Sequence, residues 1–254
     1  SDADMGPRGL FLRGEALKTN RSVLLFLNGD LREAPVVARF ARQADIILCA
    51  DGGARHAKTL GIVPDFVVGD MDSLPRPRPR SWANVVYWRD SDVNRSDLDK
   101  ALDFAARIGA PRVFVAGALG GDLDHELTNL SVLERRGSER EMIVIGGGVA
   151  RLLGPGRHVL PLKKGERFSL LAAPAARVTL TGARYGLKDE RLLRGSRGLG
   201  NRSSGRTVLS VGQGRVWFVT SVPQAVPQAL TRPRRAAIVR LRRTKHVHHR
   251  PRQI

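Results

Sequence analysis

The feature that most constrains the fold is the alternation, over the first 150 residues, of short apolar runs with helical patterns. The apolar runs are continuous, as in SVLLFLNG and DIILCA, which is typical of strands buried on both faces of a parallel sheet. Predicted strands cover 22–29, 45–50, 66–69, 84–88, 112–117 and 142–147. Predicted helices cover 34–44 and 54–60, a third begins at Ser96, and a fourth runs through Leu127, Leu130 and Leu133. The sequence therefore predicts an α/β fold with an N-terminal, doubly wound, mostly parallel sheet of Rossmann-like type.

From about residue 157 the pattern changes to short alternating strands separated by Gly-rich turns. These strands are predicted at 166–172, 177–185, 206–211 and 215–221, and no helical pattern lies between them. The pattern is typical of an all-β sandwich domain. We therefore divide the chain into an N-terminal extension (1–21), an α/β domain (22–150), a β-sandwich domain (157–222) and a basic tail (223–254) that we expect to be disordered.

The chain is strongly basic, but its charge is unevenly distributed. The net charge is +19, and residues 223–254 hold nine of the 43 Lys and Arg residues and no acidic residue, which leaves +10 for the rest. A basic domain is compatible with an anionic substrate such as a nucleotide. The tail leaves a nucleic-acid role open as an alternative, although it lacks the aromatic residues on which bases stack.

Cysteine content and hydropathy indicate the compartment. Cys49 is the single cysteine, so an internal disulfide is excluded and a reducing environment is favoured. No stretch of the sequence reaches the roughly 18 apolar residues that a membrane span requires. We therefore expect a cytoplasmic protein that does not cross a membrane.

Polar and glycine residues collect where the predicted strands end. The stretch FVVGDMDSL runs a buried strand directly into Asp70, Asp72 and Ser73, and Asp51 follows the preceding strand. Ligands of open α/β sheets bind in the crevice beyond the carboxyl ends of the strands. Further residues at such ends, or just before a helix, are Asn28, Gly52, Gly53, Asp97, Gly120, Gly121, Asp124, His125 and Asn129.

Each of these residues alone has a structural interpretation, since turns use Asp and Gly and a helix favours an acid in its first turn. Their convergence favours metal-assisted phosphoryl or pyrophosphoryl transfer. Carboxylate oxygens from Asp51, Asp70, Asp72 and Asp97 are the ligands that Mg²⁺ prefers. Backbone N–H groups around Gly52–Gly53 and Gly120–Gly121 are predicted to receive phosphate oxygens.

Four stretches, in this order, resemble the thiamin pyrophosphokinase family: ADGGARHAKTLGIVPDFVVGDMDSL, SDLDKALDFA, GALGGDLDHELTNL and GARYGLKDERLLRGSRGLGN. The resemblance covers roughly residues 22 to 221. It implies transfer of the β,γ-diphosphate of ATP to the hydroxyl of thiamin, giving thiamin diphosphate and AMP. It also implies an α/β domain that binds ATP and Mg²⁺, and a homodimer whose thiamin site lies between the α/β domain of one subunit and the β domain of the other.

The resemblance also assigns roles to individual residues. It implies that Asp51, Asp70, Asp72 and Asp97 hold Mg²⁺ and organise the triphosphate, and that Ser73 and Asp124 orient this cluster. The predicted nucleotide-binding residues are Gly52, Gly53, Asn28, Ser73, Gly120, Gly121, Asp124, His125, Asn129 and Arg55. The predicted thiamin-binding residues are Leu199, Gly200, Asn201 and Trp217. An inward-facing position in the sandwich is the alternative for Trp217.

The sequence departs from the family pattern at four positions. Asp122 stands where Arg usually follows the Gly-Gly pair, and Arg55, where Asn is common, is a candidate to supply that positive charge. Gly200 replaces a Ser, and Asn94 stands where an acid is frequent. These departures keep open a related pyrophosphokinase acting on a pterin-like alcohol, and a basic nucleic-acid-binding protein on a retained enzyme scaffold. A nucleotide-sugar transferase would need a sugar-binding half, and the sequence shows none.

Overall fold

The computed structural model describes residues 21–221. The α-helices of that range are α1 (Ala34–Gln43), α2 (Ala54–Thr59), α3 (Asp97–Arg107) and α4 (Leu123–Arg136). Its strands are β1 (Ser22–Phe26), β2 (Ile46–Ala50), β3 (Phe66–Gly69), β4 (Val86–Arg89), β5 (Arg112–Ala116), β6 (Glu141–Ile145), β7 (Val149–Leu153), β8 (Gly156–Leu160), β9 (Arg167–Ala183), β10 (Leu187–Leu193) and β11 (Asn201–Thr220). Nearly all of the predicted N-terminal extension and the basic tail lie outside the described residues.

One large sheet runs through the described chain, in the order β10-β9-β11-β7-β6-β5-β1-β2-β3-β4, with β8 paired to β11. Strands β1 to β6 are parallel, and β7 pairs antiparallel with β6. From β1 the chain builds outward to β4, and then returns to the other side of β1 to form β5 and β6. The strand order therefore reverses between β1 and β5, which is where an open α/β sheet binds its ligands.

Helices cover both faces of the parallel part of the sheet. Leu24 and Phe26 of β1 pack in one core cluster with residues of α1 and α2. Val23 and Leu25, which alternate with them, pack in another cluster with residues of α3 and α4. This burial on both faces explains the continuous apolar strands of the sequence. The prediction of a mixed α/β fold is confirmed.

The predicted start of α3 is also confirmed. Ser96 is its N-cap, and the Ser96 hydroxyl accepts the backbone N–H of Asp99 at 3.2 Å. That bond satisfies one of the N–H groups that a helix leaves unpaired in its first turn. Asp97 is thereby fixed as the first residue of the helix, at the cleft end of the sheet.

The β-rich part differs from the prediction, because it continues the same sheet. The stretches predicted as four strands, 166–172, 177–185, 206–211 and 215–221, belong to two long strands, β9 and β11. Strands β7, β8 and β10 were not predicted, and β7 and β8 occupy the interval around 150–157 where a domain boundary was expected. The separate sandwich and its limits are therefore not established by this sheet and stay a prediction.

Local irregularities explain why the two long strands looked like four. The pairing of β9 with β11 shifts in register around Gly212–Gly214. Gly214 has a φ of +76°, and a Cβ at Gly214 would lie 2.0 Å from the Ala175 carbonyl oxygen. A glycine inside a strand typically marks such a bend or close approach. In the sequence, the same glycines indicate a turn.

The long strands serve two cores at once. Val216 and Phe218 of β11 pack in a cluster with β8, β9 and β10 residues. Trp217, between them, points to the opposite face and packs in the cluster that contains α3 and α4 residues. The indole is 5% exposed. The α/β part and the β-rich part are therefore joined through shared strands.

Candidate active site

Three aspartates meet where β2 and β3 end. Asp51 follows β2 directly, in a short 3-10 turn (Asp51–Gly53), and Asp70 and Asp72 follow β3, its parallel neighbour. One carboxylate oxygen from each lies within 4.8 Å of the others. We call these residues the carboxylate cluster. Three carboxylates at this spacing are a suitable ligand set for a hard divalent cation.

The backbone of the carboxylate cluster is tightly constrained. Asp51 and Met71 both have positive φ values, +34° and +75°. Gly69 has a φ of +151°, and a Cβ there would lie 2.7 Å from the Asp51 Cβ. Glycine at position 69 therefore lets the two loops come close enough to bring their carboxylates together.

Asp51 carries the clearest sign of an unmet interaction. It is 2% exposed, and its Oδ2 accepts the Ser73 N–H at 3.3 Å. Its other oxygen, Oδ1, is buried and has no hydrogen-bond partner within residues 21–221. Burial is the largest cause that raises the pKa of Asp51 to about 7; the Asp72, Asp97 and Asp70 carboxylates raise it further, and the Ser73 N–H opposes them. A bound cation would relieve both the burial and the repulsion.

Asp72 lies at the exposed side of the cluster and is well supplied with donors. The Ser73 hydroxyl donates to Asp72 Oδ1 at 2.8 Å, and this bond is the main cause that lowers the Asp72 pKa. The Asp72 N–H donates to Asp70 Oδ1 at 3.2 Å. Ser73 therefore touches two members of the cluster, in keeping with the orienting role that the sequence predicted for it.

Asp97 lies beside the cluster but outside the group of three. Burial raises its pKa; Asp70 and Asp72 add to the rise, and Lys100 opposes it. Lys100 Nζ lies 3.6 Å from Asp97 Oδ1, and the Lys100 side chain is only 4% exposed. Sequence reasoning missed Lys100, although its position three residues after Asp97 puts the two on one helix face. Of the four predicted aspartates, three bring carboxylate oxygens close together, with Asp97 and Lys100 next to them, and metal binding by any of the four stays a prediction.

A cleft of about 790 Å³ opens beside these residues, at the reversal point between β1 and β5. It brings together residues from six separate stretches of the chain. Predicted site residues that line it are Asn28, Arg55, Asp70, Asp97, Gly120, Gly121, Asp124, His125 and Asn129. Residues that the sequence reasoning missed are Arg95, Lys100, Glu126 and Thr128, and Asp30, a polar residue at the end of the first strand, also lines the cleft.

Three cationic side chains line the cleft; Arg95 is paired with Asp90 and Asp103, and the other two are Arg55 and Lys100. The Arg55 guanidinium donates to the Asn28 and Gly29 carbonyl oxygens, at 2.5 and 3.4 Å, which fixes it at the end of β1. Lys100 reaches the cleft from α3. Fixed cations at the wall of a cleft suit a polyphosphate, because they neutralise its charge without reorganisation.

The two Gly-Gly pairs have different structural roles. A Cβ at Gly53 would lie 2.2 Å from the Phe26 carbonyl oxygen, so this pair lets its loop pack against β1. The N–H groups of Gly120 and Gly121 both donate to Glu126 Oε1, the second at 3.2 Å. The chain's own Glu126 carboxylate therefore accepts both amides, and the contact of Gly120 and Gly121 with phosphate oxygens stays a prediction.

Other predicted nucleotide-binding residues also have partners within the chain. Asp124 Oδ1 accepts the His125 N–H at 2.8 Å, and Asn129 Nδ2 donates to the Ala118 carbonyl oxygen at 2.9 Å. These contacts shape the turn before α4 and its first turns. The side chains still line the cleft, so their contact with a nucleotide stays a prediction.

The predicted thiamin residues lie in the β-rich part and are not among the described residues that line the cleft. Leu199 is 52% exposed, and the Gly200 N–H donates to the Ser169 hydroxyl at 3.1 Å. Asn201 is 4% exposed, and its side-chain amide is bound to the Tyr185 backbone at both ends. The Asn201 amide therefore holds a neighbouring loop in place.

Trp217 takes the inward-facing position that was its alternative, and its contact with thiamin stays a prediction. Its ring lies in the core, and Nε1–H donates to Glu134 Oε1 of α4 at 2.9 Å. The ring is 5% exposed, so stacking on a cationic thiazolium would require one face of the indole to become accessible.

Comparison with known proteins agrees with this geometry. Residues 37–145 match the family model described as thiamin pyrophosphokinase, catalytic domain. Thiamine pyrophosphokinase 2 of Arabidopsis thaliana is 28% identical over 203 residues, which cover 66% of this chain and 74% of that protein. Thiamine pyrophosphokinase of Bacillus subtilis is 22% identical over 184 residues, which cover 69% of this chain and 86% of that protein.

Solved structures share the fold. The crystal structure of thiamine pyrophosphokinase from Bacillus subtilis superposes with a TM-score of 0.69 at 21% identity, over 80% of this chain and 99% of that one. Yeast thiamin pyrophosphokinase superposes with a TM-score of 0.62 at 16% identity, over 80% of this chain and 87% of that one. The match extends beyond the catalytic domain, because 80% of this chain includes much of the β-rich part.

Proposed function

The chain belongs to the thiamin pyrophosphokinase family, and from that premise we propose that it transfers the β,γ-diphosphate of ATP to the hydroxyl of thiamin, releasing AMP. The observation that carries the proposal is the carboxylate cluster with its unpartnered, buried Asp51 oxygen beside the cleft. This is the arrangement that a metal-bound polyphosphate requires.

The residues present fit a divalent cation, and we propose Mg²⁺. Asp51, Asp70 and Asp72 would hold it, since each offers a hard oxygen ligand and one of those oxygens lacks a partner in the described chain. When bound, the ion would neutralise negative charge on the diphosphate and help to fix its orientation. Asp97 lies close enough to raise the pKa of Asp51, so it adds to the negative field that attracts the cation.

The chain's own residues position the substrates. In the proposed reaction the thiamin hydroxyl oxygen bonds to the β-phosphorus of ATP, the bond from that phosphorus to the α,β-bridging oxygen breaks, and AMP leaves. The hydroxyl proton is released as the new bond forms. Lys100 and Arg55 line the cleft and would bind phosphate oxygens there. Catalysis of this kind rests on alignment and charge neutralisation, so a protein nucleophile is not needed.

We further propose that the enzyme acts as a homodimer, with thiamin bound between the α/β part of one subunit and the β-rich part of the other. Within one chain, the segment that contains Leu199 and Asn201 does not contribute to the described lining of the cleft. Apolar side chains near the cleft are exposed: Leu123 at 69%, Leu127 at 59% and Val93 at 92%. A second subunit would cover them and complete the site.

We place the proposed reaction in the cytoplasm. Cys49 is buried and free, as is usual for a protein of a reducing compartment. Among residues 21–221, no helix combines the length and the apolar composition needed to cross a membrane.

The test is AMP release from Mg-ATP with and without thiamin, followed by mass analysis of the product. Thiamin-dependent AMP together with a thiamin diphosphate mass is the expected result. AMP released with a pterin-like alcohol in place of thiamin would favour the related pyrophosphokinase. No AMP with any primary alcohol, from a folded protein, would contradict the proposal.

The nucleic-acid alternative is tested separately by deleting residues 223–254, which lie outside the described residues. The enzyme proposal expects thiamin-dependent AMP release to change less than about twofold. A nucleic-acid-binding protein would instead show salt-dependent binding to an oligonucleotide that disappears with the deletion.

A further inference from the structure

Glu134, in the last turn of α4, binds two groups of the β-rich part with its two carboxylate oxygens. Oε1 accepts the Trp217 indole N–H at 2.9 Å. Oε2 pairs with the guanidinium of Arg194, which lies directly after β10. The Glu134 side chain is 15% exposed, so both contacts form in a largely desolvated place. Ionised hydrogen bonds of this kind are stronger and more directional than exposed ion pairs.

The contacts of Glu134 differ from those of its neighbours on the same helix. Arg135 and Arg136 pair with Asp99 and Asp103 of α3, which keeps them inside the α/β part. Glu134 instead reaches across to the β-rich part. Its carboxylate therefore links α4 to the β-rich part.

Arg194 begins the loop 194–200, which leads into Asn201. The Arg194 N–H donates to the Pro174 carbonyl oxygen, and the Gly198 carbonyl oxygen accepts the Leu170 N–H. The loop is thus held to β9 along its length, and to α4 at its start through Glu134. The first turns of that same helix contribute Asp124, His125 and Asn129 to the cleft.

We propose that Glu134 is a positioning residue that fixes loop 194–200 relative to α4, and so sets the thiamin-binding segment without touching the nucleotide. This inference rests on the proposed function, since the loop carries Leu199 and Gly200. The carboxylate binds one rigid group, the buried indole, and one exposed group, the Arg194 side chain. The indole anchors the carboxylate, and the carboxylate in turn restrains the loop.

The chain allows a clean separation of the two contacts. In Glu134→Gln the amide oxygen can still accept the Trp217 N–H, while the charge that pairs with Arg194 is lost. Arg194→Gln removes the same ion pair from the other side, at a residue whose side chain is 55% exposed and whose replacement leaves the core intact. Arg135→Gln is the matched control, because it breaks an α4 ion pair that stays within the α/β part.

The experiment measures kcat and the KM values for thiamin and for Mg-ATP in the full chain carrying Glu134→Gln, Arg194→Gln, both, or Arg135→Gln. We expect each single change to raise the thiamin KM about threefold to tenfold and to leave the ATP KM within about twofold. The thiamin KM of the double variant should be no higher than that of either single variant, because both substitutions remove the same ion pair. Arg135→Gln should alter neither constant.

Amide hydrogen exchange supplies a readout that does not depend on turnover. Exchange in segment 194–201 should accelerate in Glu134→Gln and Arg194→Gln and stay unchanged in Arg135→Gln. Faster exchange in a chain without thiamin-dependent AMP release would overturn the proposed function and support the positioning role. Unchanged exchange in both variants, or thiamin and ATP KM values that rise together, would overturn the positioning role.

Discussion

The two ends of the cleft differ in how their polar groups are satisfied. At the β2–β3 end, Asp51 keeps a buried carboxylate oxygen without a partner in the described chain, and three carboxylates crowd together. At the β5–α4 end, the N–H groups of Gly120 and Gly121 are both taken by Glu126. Both ends follow a parallel strand, and both have a Gly-Gly pair in the sequence.

The difference separates a buried carboxylate oxygen that lacks a hydrogen-bond partner in the described chain from amides that the chain itself satisfies. Buried polar atoms in folded proteins usually have a partner, and the unpartnered Asp51 oxygen is set apart by the two further carboxylates beside it, which favour a cation. By that criterion the carboxylate cluster is where a metal and diphosphate would bind. The Gly120–Gly121 amides, the Asn201 amide and the Trp217 indole N–H each have a partner within the chain, and their contacts with a substrate stay predictions.

The largest expected effect of a substitution is at the carboxylate cluster. Asp72→Asn should lower turnover by at least about a hundredfold, because an amide is a poor ligand for a hard cation. The thermal midpoint should change little, since Asp72 is exposed. Asp92→Asn is the control: Asp92 is another exposed acid whose side chain accepts a backbone N–H two residues on. Equal activity of the two variants would remove the cluster from the mechanism.

Lys100 should give the next largest effect. Lys100→Met keeps most of the buried stem and removes the charge that faces Asp97 and the cleft. We expect turnover to fall about tenfold to a hundredfold, less than the roughly hundredfold to thousandfold loss that follows removal of a donor to a developing oxyanion. Lys58→Met serves as the comparison, since exposed Lys58 binds only the Pro77 carbonyl oxygen among the contacts described. Similar rates in both variants would contradict a role in phosphate binding.

Glu126 should matter for stability more than for chemistry. Glu126→Ala leaves the Gly120 and Gly121 N–H groups without their acceptor, so the free energy of unfolding should fall by about 1–2 kcal/mol. Glu126→Gln retains an oxygen acceptor, so its free energy of unfolding should fall by less than that of Glu126→Ala. Urea unfolding of the two variants measures the difference. A larger loss for Gln than for Ala would show that the amides do not depend on this side chain.

The smallest effect of a substitution is expected at Asp122, which lines the cleft next to the Gly120–Gly121 turn. The Asp122 side chain makes no cap bond to α4 within the described chain. Asp122→Arg replaces an anion by a cation near the proposed phosphates. We expect the KM for Mg-ATP to fall about twofold to fivefold, with kcat little changed. An increase in this KM would mean that the phosphates bind at a distance from residue 122.

The sequence was sufficient for much of the α/β part. Continuous apolar strands, helical spacing and the Ser96 cap predicted a mixed α/β fold, and the acids at the strand ends meet as expected for parallel neighbours. These features depend on local patterns. The long strands β9 and β11 could not be predicted, because Pro174 and Gly214 indicate turns where the strands only bend.

The roles of several site residues could not be predicted either, because they depend on tertiary partners. Alternation along β11 places Trp217 on one face, but only the packing of α4 shows that this face is buried against Glu134. In the same way, the sequence shows Glu126 near the Gly-Gly pair without showing that it occupies both amides. Lys100 is visible as a helix neighbour of Asp97, while its burial is a property of the fold.

The most direct test of the central claim is a calorimetric titration of Mg²⁺ into the full chain, its Asp72→Asn variant and its Asp92→Asn variant. The account predicts one binding site in the unmodified chain, at least about tenfold weaker binding after Asp72→Asn, and no change after Asp92→Asn. Equal binding by all three folded proteins would place the cation elsewhere and contradict the assignment of the unpartnered Asp51 oxygen to a metal site.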